Sequence, residues 1–327
     1  MAIFSSGIGI DVSDHHVRIA WVGHDNIPKG LYELVLPHGL VEDDIVRKPD
    51  TLKKLLNKLI LKSGLEELSE SATLLIPESR VFSTSFVMEK ERRREDLITK
   101  ARKEAQKNIP IPFQDAIVQV LPGLPVTGGV RTTVHVVQKN VIHGLKKVFA
   151  SERMPLRAIE ANSLAIFRLS QTFGFDQVQM NDPAALMMIV DIGHRWTNII
   201  LYDKIYTSVF SRSLAVRKLN ENNKGEIKEL SADDISQICK GIHDTLAYFR
   251  DSGSSIKQVL IAGVEGAQKN IAKTCIRNED KVKINPIGEV IKIPDISAND
   301  VHTYGAAIGA AIRSAHLRNY QKNHNFL

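Results

Sequence analysis

Gly7-Ile8-Gly9-Ile10-Asp11-Val12-Ser13 is an apolar run that ends on an acid and a small turn residue, and Val17-Arg18-Ile19-Ala20-Trp21-Val22 follows it. The same arrangement returns 180 positions on, where Met188-Ile189-Val190-Asp191-Ile192-Gly193 leads into Thr197-Asn198-Ile199-Ile200-Leu201-Tyr202. Each copy reads as a buried strand ending in Asp, a tight turn of small residues and a second apolar strand. A repeat near half the chain length predicts two related lobes, each opening with the same hairpin.

Outward from the first hairpin, Leu31–Leu36 reads as another strand. Leu52, Leu55, Leu56, Leu59 and Ile60 then mark one face of a helix. Thr73–Ile76 and Arg80–Val87 are strands broken at Pro77, so the lobe suits an α/β layer fold. The stretch from Phe86 to Leu156 interrupts it. A basic helix with Leu97, Ile98, Ala101 and Ala105 on one face is stopped by Ile109-Pro110-Ile111-Pro112, since proline cannot continue a helix. Strands at Ala116–Leu121 and Arg131–Gln138 flank a turn at Pro122–Gly129, and a helix at Ile142–Phe149 closes this inserted subdomain. The chain returns through Pro155–Glu160 to a helix at Ala161–Thr172.

The second lobe continues with a third strand at Lys204–Arg212, a polar loop at Asn220–Glu229 and a long helix carrying Ile235, Ile238, Cys239, Ile242, Leu246 and Phe249 on one face. Val259–Ala262 is a short strand running into Gly263-Val264-Glu265-Gly266, and a small-residue helix spans Tyr304–Ala311. The expected organisation is a first-lobe core at 1–85 and 157–181, the inserted subdomain at 86–156, a second lobe at 182–315 and a polar tail at 316–327.

A chain of 327 residues with 43% hydrophobic and 24% charged residues belongs to the soluble globular class and needs neither disulfides nor a structural metal to hold its core. Its two cysteines, Cys239 and Cys275, show no metal-binding or redox spacing and read as reduced core residues. No apolar run reaches the roughly 18 residues of a membrane span, and the start lacks the pattern of a signal peptide, which predicts a cytoplasmic protein. The net charge is +6, and eight basic against five acidic residues fall between Glu89 and Lys107. A solvated helix face is the first reading of that stretch, and attraction to an anionic membrane surface the second. Nucleic acid is disfavoured, because no aromatic residue interleaves the charges. His15 and His16 are adjacent and point to opposite faces of an extended chain, which argues against a shared metal.

A strand, an Asp and a tight turn suit the phosphate end of a nucleotide. Turn N–H groups can point at phosphate oxygens while the Asp holds Mg²⁺ through water. Asp11 and Asp191 are the candidates, expected to face each other across the cleft between the lobes; a strand-end Asp that caps its own turn is the plainer alternative for each. Gly263 in a strand-to-helix turn would let a backbone approach a ligand, although ordinary connections use glycine as freely.

The order of the Asp11 hairpin, the Asp191 hairpin, the Leu260-Ile261-Ala262-Gly263 turn and the Tyr304-Gly305-Ala306-Ala307 helix resembles the actin, heat-shock ATPase and sugar-kinase superfamily. These segments look like its first phosphate, second phosphate, adenosine and second connecting motifs. Within it, the chain resembles the PilM family of type IV pilus assembly proteins. Leu75-Ile76-Pro77-Glu78-Ser79-Arg80-Val81-Phe82 looks like that family's strand. Ala101-Arg102-Lys103-Glu104-Ala105 followed by Asn108-Ile109-Pro110-Ile111-Pro112-Phe113 looks like its helix and proline turn, and Glu160-Ala161-Asn162-Ser163-Leu164-Ala165 like its first connecting helix. The likeness runs from about residue 7 to 314.

The resemblance implies an actin-like two-lobed fold and a cytoplasmic adaptor peripheral to the inner membrane. It implies ATP with Mg²⁺ in the cleft between the lobes, contacted by Gly9, Asp11, Ser13, Asp191, Gly193, Thr197, Gly263, Glu265 and Gly266, with the metal held through water by Asp11 and Asp191. It further implies a groove at Ile109, Ile111 and Phe113 that takes a short cytoplasmic peptide of a PilN-like inner-membrane partner. Self-association is left open, and no catalytic residue beyond a weak ATPase is implied. The chain departs from the family at Ser13 and Val264, where glycines are usual, at Ala215-Val216, where a Gly-Gly pair is usual, and at Asp14, whose carboxylate would face phosphate oxygens. Arg195 could offset charge near the Gly193 turn.

Three other readings compete. A sugar-kinase-like enzyme or ATPase would need a base, for which Glu160 is the candidate. A division protein resembling FtsA would end in an amphipathic membrane helix, and the tail from His316 lacks the apolar face for one. A type II secretion protein of the same fold would share the adaptor role.

Overall fold

The computed structural model describes residues 6–65, 71–91, 93–109, 111–126, 128–149, 154–174, 185–193, 196–203, 208–215, 230–251, 254–263, 267–275 and 282–316. β1 (Gly7–Val12) places Ile8, Ile10 and Val12 on one face and Gly7, Gly9 and Asp11 on the other, by the two-residue period of a strand. It pairs antiparallel with β2 (His16–Val22), which pairs with β3 (Pro28–Val35). A small hairpin of β4 (Val41–Glu42) and β5 (Ile45–Val46) follows. Its turn residues Asp43 and Asp44 both sit at positive φ, 52° and 59°, the geometry that matches the twist of a two-residue hairpin. α1 (Pro49–Ser63) starts on a proline, ends on Gly64 in the left-handed conformation and buries Leu52, Leu56 and Ile60. β6 (Ala72–Ile76) then runs parallel to β1.

The inserted subdomain consists of β7 (Phe82–Met88), α2 (Arg94–Asn108), β8 (Ala116–Val126), β9 (Gly129–Gln138) and α3 (Lys139–Phe149). Its strand order is β7-β9-β8. Ala101 and Ala105 of α2 pack with Val134 and Val136 on one face of this sheet, whereas Val141, Ile142, Leu145, Val148 and Phe149 of α3 join the core beneath β1. β10 (Leu156–Ala161) completes a sheet of order β10-β6-β1-β2-β3, and α4 (Asn162–Phe173) follows.

The second half repeats the plan. β11 (Ala185–Ile192), β12 (Trp196–Tyr202) and β13 (Ser208–Ala215) are antiparallel neighbours. After α5 (Ala232–Asp251), β14 (Ser255–Gly263) runs parallel to β11. α6 (Ala267–Cys275), β15 (Lys283–Pro286), α7 (Ile287–Val290) and α8 (Ala298–Ala315) complete the described chain. Read from β15, the sheet order is β15-β14-β11-β12-β13, the same topology as the first sheet. The offset read at the two Asp hairpins holds across three strands: Asp11, Arg18 and Glu33 are cross-strand neighbours, and so are Asp191, Asn198 and Ser213.

Two compact units result, one formed by residues up to Ala165 together with those from Ala307, the other by Ile166–Ala306. The first boundary therefore falls inside α4, earlier than position 182, and the end of α8 belongs with the first unit, because Gly9 accepts that helix against its bare backbone. A Cβ on Gly9 would lie 1.9 Å from the Ala307 carbonyl oxygen.

Several expectations need correction. Leu156–Ala161 is a strand, where the sequence reads as a connection, and β15 has no counterpart in the sequence reading. β8 continues through a bulge between Pro122 and Pro125 to Val126, where a turn was expected. β13 begins at Ser208 and ends at Ala215, three residues past Arg212. Cys239 and Cys275 are not reduced but joined by a disulfide between α5 and α6. Positions 204–207, the polar loop 220–229 and the tail from 317 lie outside the described residues. Among the described residues no helix is long and apolar enough to cross a membrane.

Candidate functional site

In the second unit the parallel strands β11 and β14 end side by side, with Asp191 beside Ala262 and Ile192 beside Gly263. Ligands of α/β sheets collect at the carboxyl ends of parallel strands. Gly263 has φ +98°, and a Cβ there would lie 2.1 Å from the Ile192 carbonyl oxygen, so only glycine fits. Gln268, in the first turn of α6, donates from Nε2 to the Gly263 carbonyl at 2.8 Å. Val190 and Ile192 point into the core with α5 and α6, which puts Asp191 on the opposite face. There its neighbour Asn198 accepts a hydrogen bond from Ser213 Oγ at 2.7 Å.

Thr197 lies across from Ile192, on the core face, fully buried. The fold thus brings Asp191, Gly193 and Gly263 to adjoining strand ends but sets Thr197 on the other side of the sheet. The Gly193 N–H donates to the Trp196 carbonyl at 2.8 Å and closes the hairpin. His194, Arg195, Val216, Val264, Glu265 and Gly266 lie outside the described residues.

The equivalent hairpin of the first unit makes the same closing bond: the Ser13 N–H donates to the His16 carbonyl at 2.9 Å. Ser13 Oγ accepts from the His16 N–H at 3.2 Å as well. Burial pushes the Asp11 carboxyl above the usual carboxylate range, while the Arg18 guanidinium and the Val12 N–H pull the other way. Arg18 in turn donates from Nε to Glu33 at 2.9 Å, and His16 Nδ1 lies 3.1 Å from the same carboxylate.

Asp14 does not take the direction expected of it. Its two carboxylate oxygens accept the N–H groups of Asp43 at 3.1 Å and Asp44 at 2.7 Å. Successive N–H groups of a positive-φ turn form a concave pair of donors, and the Asp14 carboxylate fills it. Ser79 Oγ donates to Asp44 at 2.5 Å and the Arg80 guanidinium to the Asp43 carbonyl, which ties the β4–β5 hairpin to the first turn. Glu160, the candidate base, is completely buried and paired with the equally buried Arg313 of α8. A carboxylate held by a guanidinium away from water is not placed for proton transfer to a substrate.

In the inserted subdomain, Ile109 and Ile111 are half-buried and pack on its core together with Phe82, Phe86 and Met88. Phe113 opens a 3-10 turn at Phe113–Asp115 and is also half-buried. β7 is an outer strand, with no strand on its far side among the described residues, and Val87 on it is 57% exposed. The sheet face opposite α2 carries a polar strip beside the apolar Ile117 and Val137: Ser83 Oγ lies 2.7 Å from His135 Nδ1, and Ser85 Oγ 2.7 Å from Thr133 Oγ1. Burial pushes His135 down to about 4. On and just before α2, Arg93 pairs with Asp96, Lys107 with Glu104, and Lys100 with Glu91, so three of the eight basic residues meet acids of the same stretch.

No protein-family model matches the sequence, and no curated protein matches it. Among solved structures, a chain of a PilM-PilN type IV pilus biogenesis complex is similar at 16% identity with TM-score 0.73, over 94% of this chain and 98% of that one. The cytoplasmic domain of EpsL, an inner membrane component of the type II secretion system of Vibrio cholerae, is similar at 8% identity with TM-score 0.48, over 99% and 98% of the two chains. A Bacteroides thetaiotaomicron protein with an actin-like ATPase fold is similar at 11% identity with TM-score 0.48, over 90% and 96%. The chain has the actin-like α/β fold, with its duplicated sheets and inserted subdomain.

Proposed function

We propose that this protein is an actin-like adaptor of a pilus or secretion machine, holding a short cytoplasmic peptide of a PilN-like inner-membrane partner. The observation that carries this is the extent of the likeness to the chain of the PilM-PilN complex. That likeness covers 94% of this chain and 98% of the other at TM-score 0.73, and its extent supports a shared adaptor role. The peptide would add along the outer edge of β7, gaining main-chain hydrogen bonds and side-chain contacts near Val87, with Ile109 and Ile111 supporting the sheet from the subdomain core. Such a tether would keep the protein peripheral to the membrane.

A nucleotide, ATP with Mg²⁺, belongs to the same reading. The residues of the second unit fit it: an acid and a positive-φ glycine stand at adjoining ends of parallel strands. Asp191 would hold the metal through water, Gly193 and Gly263 would offer backbone groups at the strand ends, and Asp11 with Ser13 would be the equivalent group of the first unit, where Gly9 is packed against α8. Bound Mg²⁺ would supply a positive charge that screens the phosphates. With Glu160 engaged by Arg313, turnover is expected to be negligible.

The test is calorimetry with the cytoplasmic N-terminal peptide of a PilN-like inner-membrane protein from the same organism. Saturable binding is expected, weakened at least roughly tenfold, about 1.4 kcal/mol, by Val87→Asp, and little changed by Phe113→Ala at the opposite edge of the sheet. No binding, or binding indifferent to Val87→Asp, sinks the peptide assignment. Separately, Asp191→Ala should abolish Mg²⁺-dependent ATP binding.

A further inference from the structure

Cys239 on α5 is bonded to Cys275, the last residue of α6, with their Cα atoms 5.0 Å apart. One turn further along α5, His243 Nε2 donates to the Cys275 carbonyl at 2.8 Å. Two successive turns of α5 thus hold the same residue, one through sulfur and one through the carbonyl at the end of the described part of α6. The other end of α6 is tied to the Gly263 carbonyl by Gln268. Nine described helical residues are by themselves too few to persist without such ties. Beyond these ties, Ile271 and Ala272 join Cys275 in holding it to the core.

We propose that the Cys239–Cys275 bond is a redox latch on α6. Oxidised, it fixes α6 against α5 and so steadies the Gly263 turn from which α6 departs. Reduced, it frees α6 while β11, β12 and α5 keep their structure. The reductant is a small dithiol. Its thiolate attacks Cys239, 7% exposed against 0% for Cys275; a mixed disulfide forms, and Cys275 leaves as a thiolate that takes a proton from water. The second thiol of the reductant, after losing its proton, displaces Cys239, so two electrons pass to the cysteines and the reductant departs as a cyclic disulfide. Because both sulfurs are buried, exchange has to follow a local opening of α6, which protects the bond kinetically in a reducing compartment. Any effect on nucleotide rests on the reading of Asp191 and Gly263 given above, whereas the latch does not.

Hydrogen exchange read by mass spectrometry on the full chain tests it, with wild type purified without reductant, wild type in dithiothreitol, and Cys239→Ser/Cys275→Ser. Reduction should speed exchange in α6 by roughly tenfold or more, leave β11 and β12 unchanged, and make wild type match the double variant. Equal α6 exchange in both states overturns the latch. Two alkylatable thiols that persist after treatment with an oxidant overturn it as well. Should the double variant fail to fold, the reduced wild type decides by the same peptides. ATP titration of both states is a separate arm. Weaker ATP binding on reduction supports the latch acting on the nucleotide turn. Faster α6 exchange with no ATP binding in either state supports the latch and counts against the nucleotide reading.

Discussion

Asp11, Arg18 and Glu33 stand side by side across the first three strands, and Asp191, Asn198 and Ser213 hold the same three places in the second unit. The register is kept residue for residue, and so is the bond that closes each hairpin, from Ser13 in one and Gly193 in the other. The neighbours of the acid are not kept: a cation and a second acid in one unit, an amide and a hydroxyl in the other. Strand pairing and a turn bond are made by the backbone alone, so they outlast changes at nearly every side chain. Each unit has also built its own supports. The first has the inserted subdomain, the Asp14 clamp and the Glu160–Arg313 pair; the second has the cross-link between α5 and α6.

The chain carries two tryptophans, Trp21 on β2 and Trp196 on β12, one in each twin. Trp21→Phe and Trp196→Phe backgrounds therefore report on one unit at a time. The largest effect is expected for Arg313→Met, which leaves the Glu160 carboxylate buried without its guanidinium. It should cost about 3–5 kcal/mol in urea unfolding, with the Trp21 transition moving more than that of Trp196. The double change Glu160→Leu/Arg313→Met should recover most of it, because a well-packed apolar pair replaces the ions. Equal shifts of both transitions would show that the twins do not unfold separately.

A smaller, pH-dependent effect is expected at His135. Its folded pKa of about 4 lies below the ordinary 6.5, so the neutral ring is the folded form. The stabilisation is complete above pH 6.5 and is lost as pH falls toward 4, up to about 3 kcal/mol. Trp21 fluorescence in urea at pH 7 and pH 4.5, for wild type and for His135→Gln, checks this. The variant should lose much of the pH dependence, and an unchanged slope would mean that the ring is not what titrates.

The smallest effect is expected for Asp14→Ser, which removes the acceptor of two hairpin N–H groups and should cost about 1–3 kcal/mol. Amide exchange at Asp43 and Asp44 should accelerate, and ATP affinity should stay where it is. Tighter ATP binding would instead put that carboxylate beside the phosphates.

The duplication is legible in the sequence because buried strands followed by Asp keep one spacing, and Gly263 is legible because glycine reports backbone constraints directly. Other features depend on partners far along the chain. The N–H groups that Asp14 meets lie 29 and 30 positions away, in the turn between two strands of two residues each, too short to show a period. Leu156–Ala161 and Lys283–Pro286 are short outer strands that pair in parallel with distant segments, so no local hairpin announces them. Cys239 and Cys275 are 36 positions apart on two helices, and only the packing of those helices shows that they meet. Thr197 and Asp191 fall in one motif, yet the period of two sends them to opposite faces.

The end of α8 bears on how the chain is made. Ser71 and Thr73 bond to Ser314, 243 and 241 positions later, and Asn26 bonds to His316, 290 positions later. A ribosome finishes every strand of the first sheet by Ala161, yet the helix that covers Gly9 and neutralises Glu160 emerges only after residues 166–306 have been added. At about 5–20 residues per second that interval lasts roughly 10–30 s. Throughout it the nascent sheet carries a bare face, and Glu160 has yet to meet Arg313, which makes it a client for chaperones. A stop codon anywhere before Ala307 would leave that face uncovered for good, and the product would go to proteases rather than survive as half a protein.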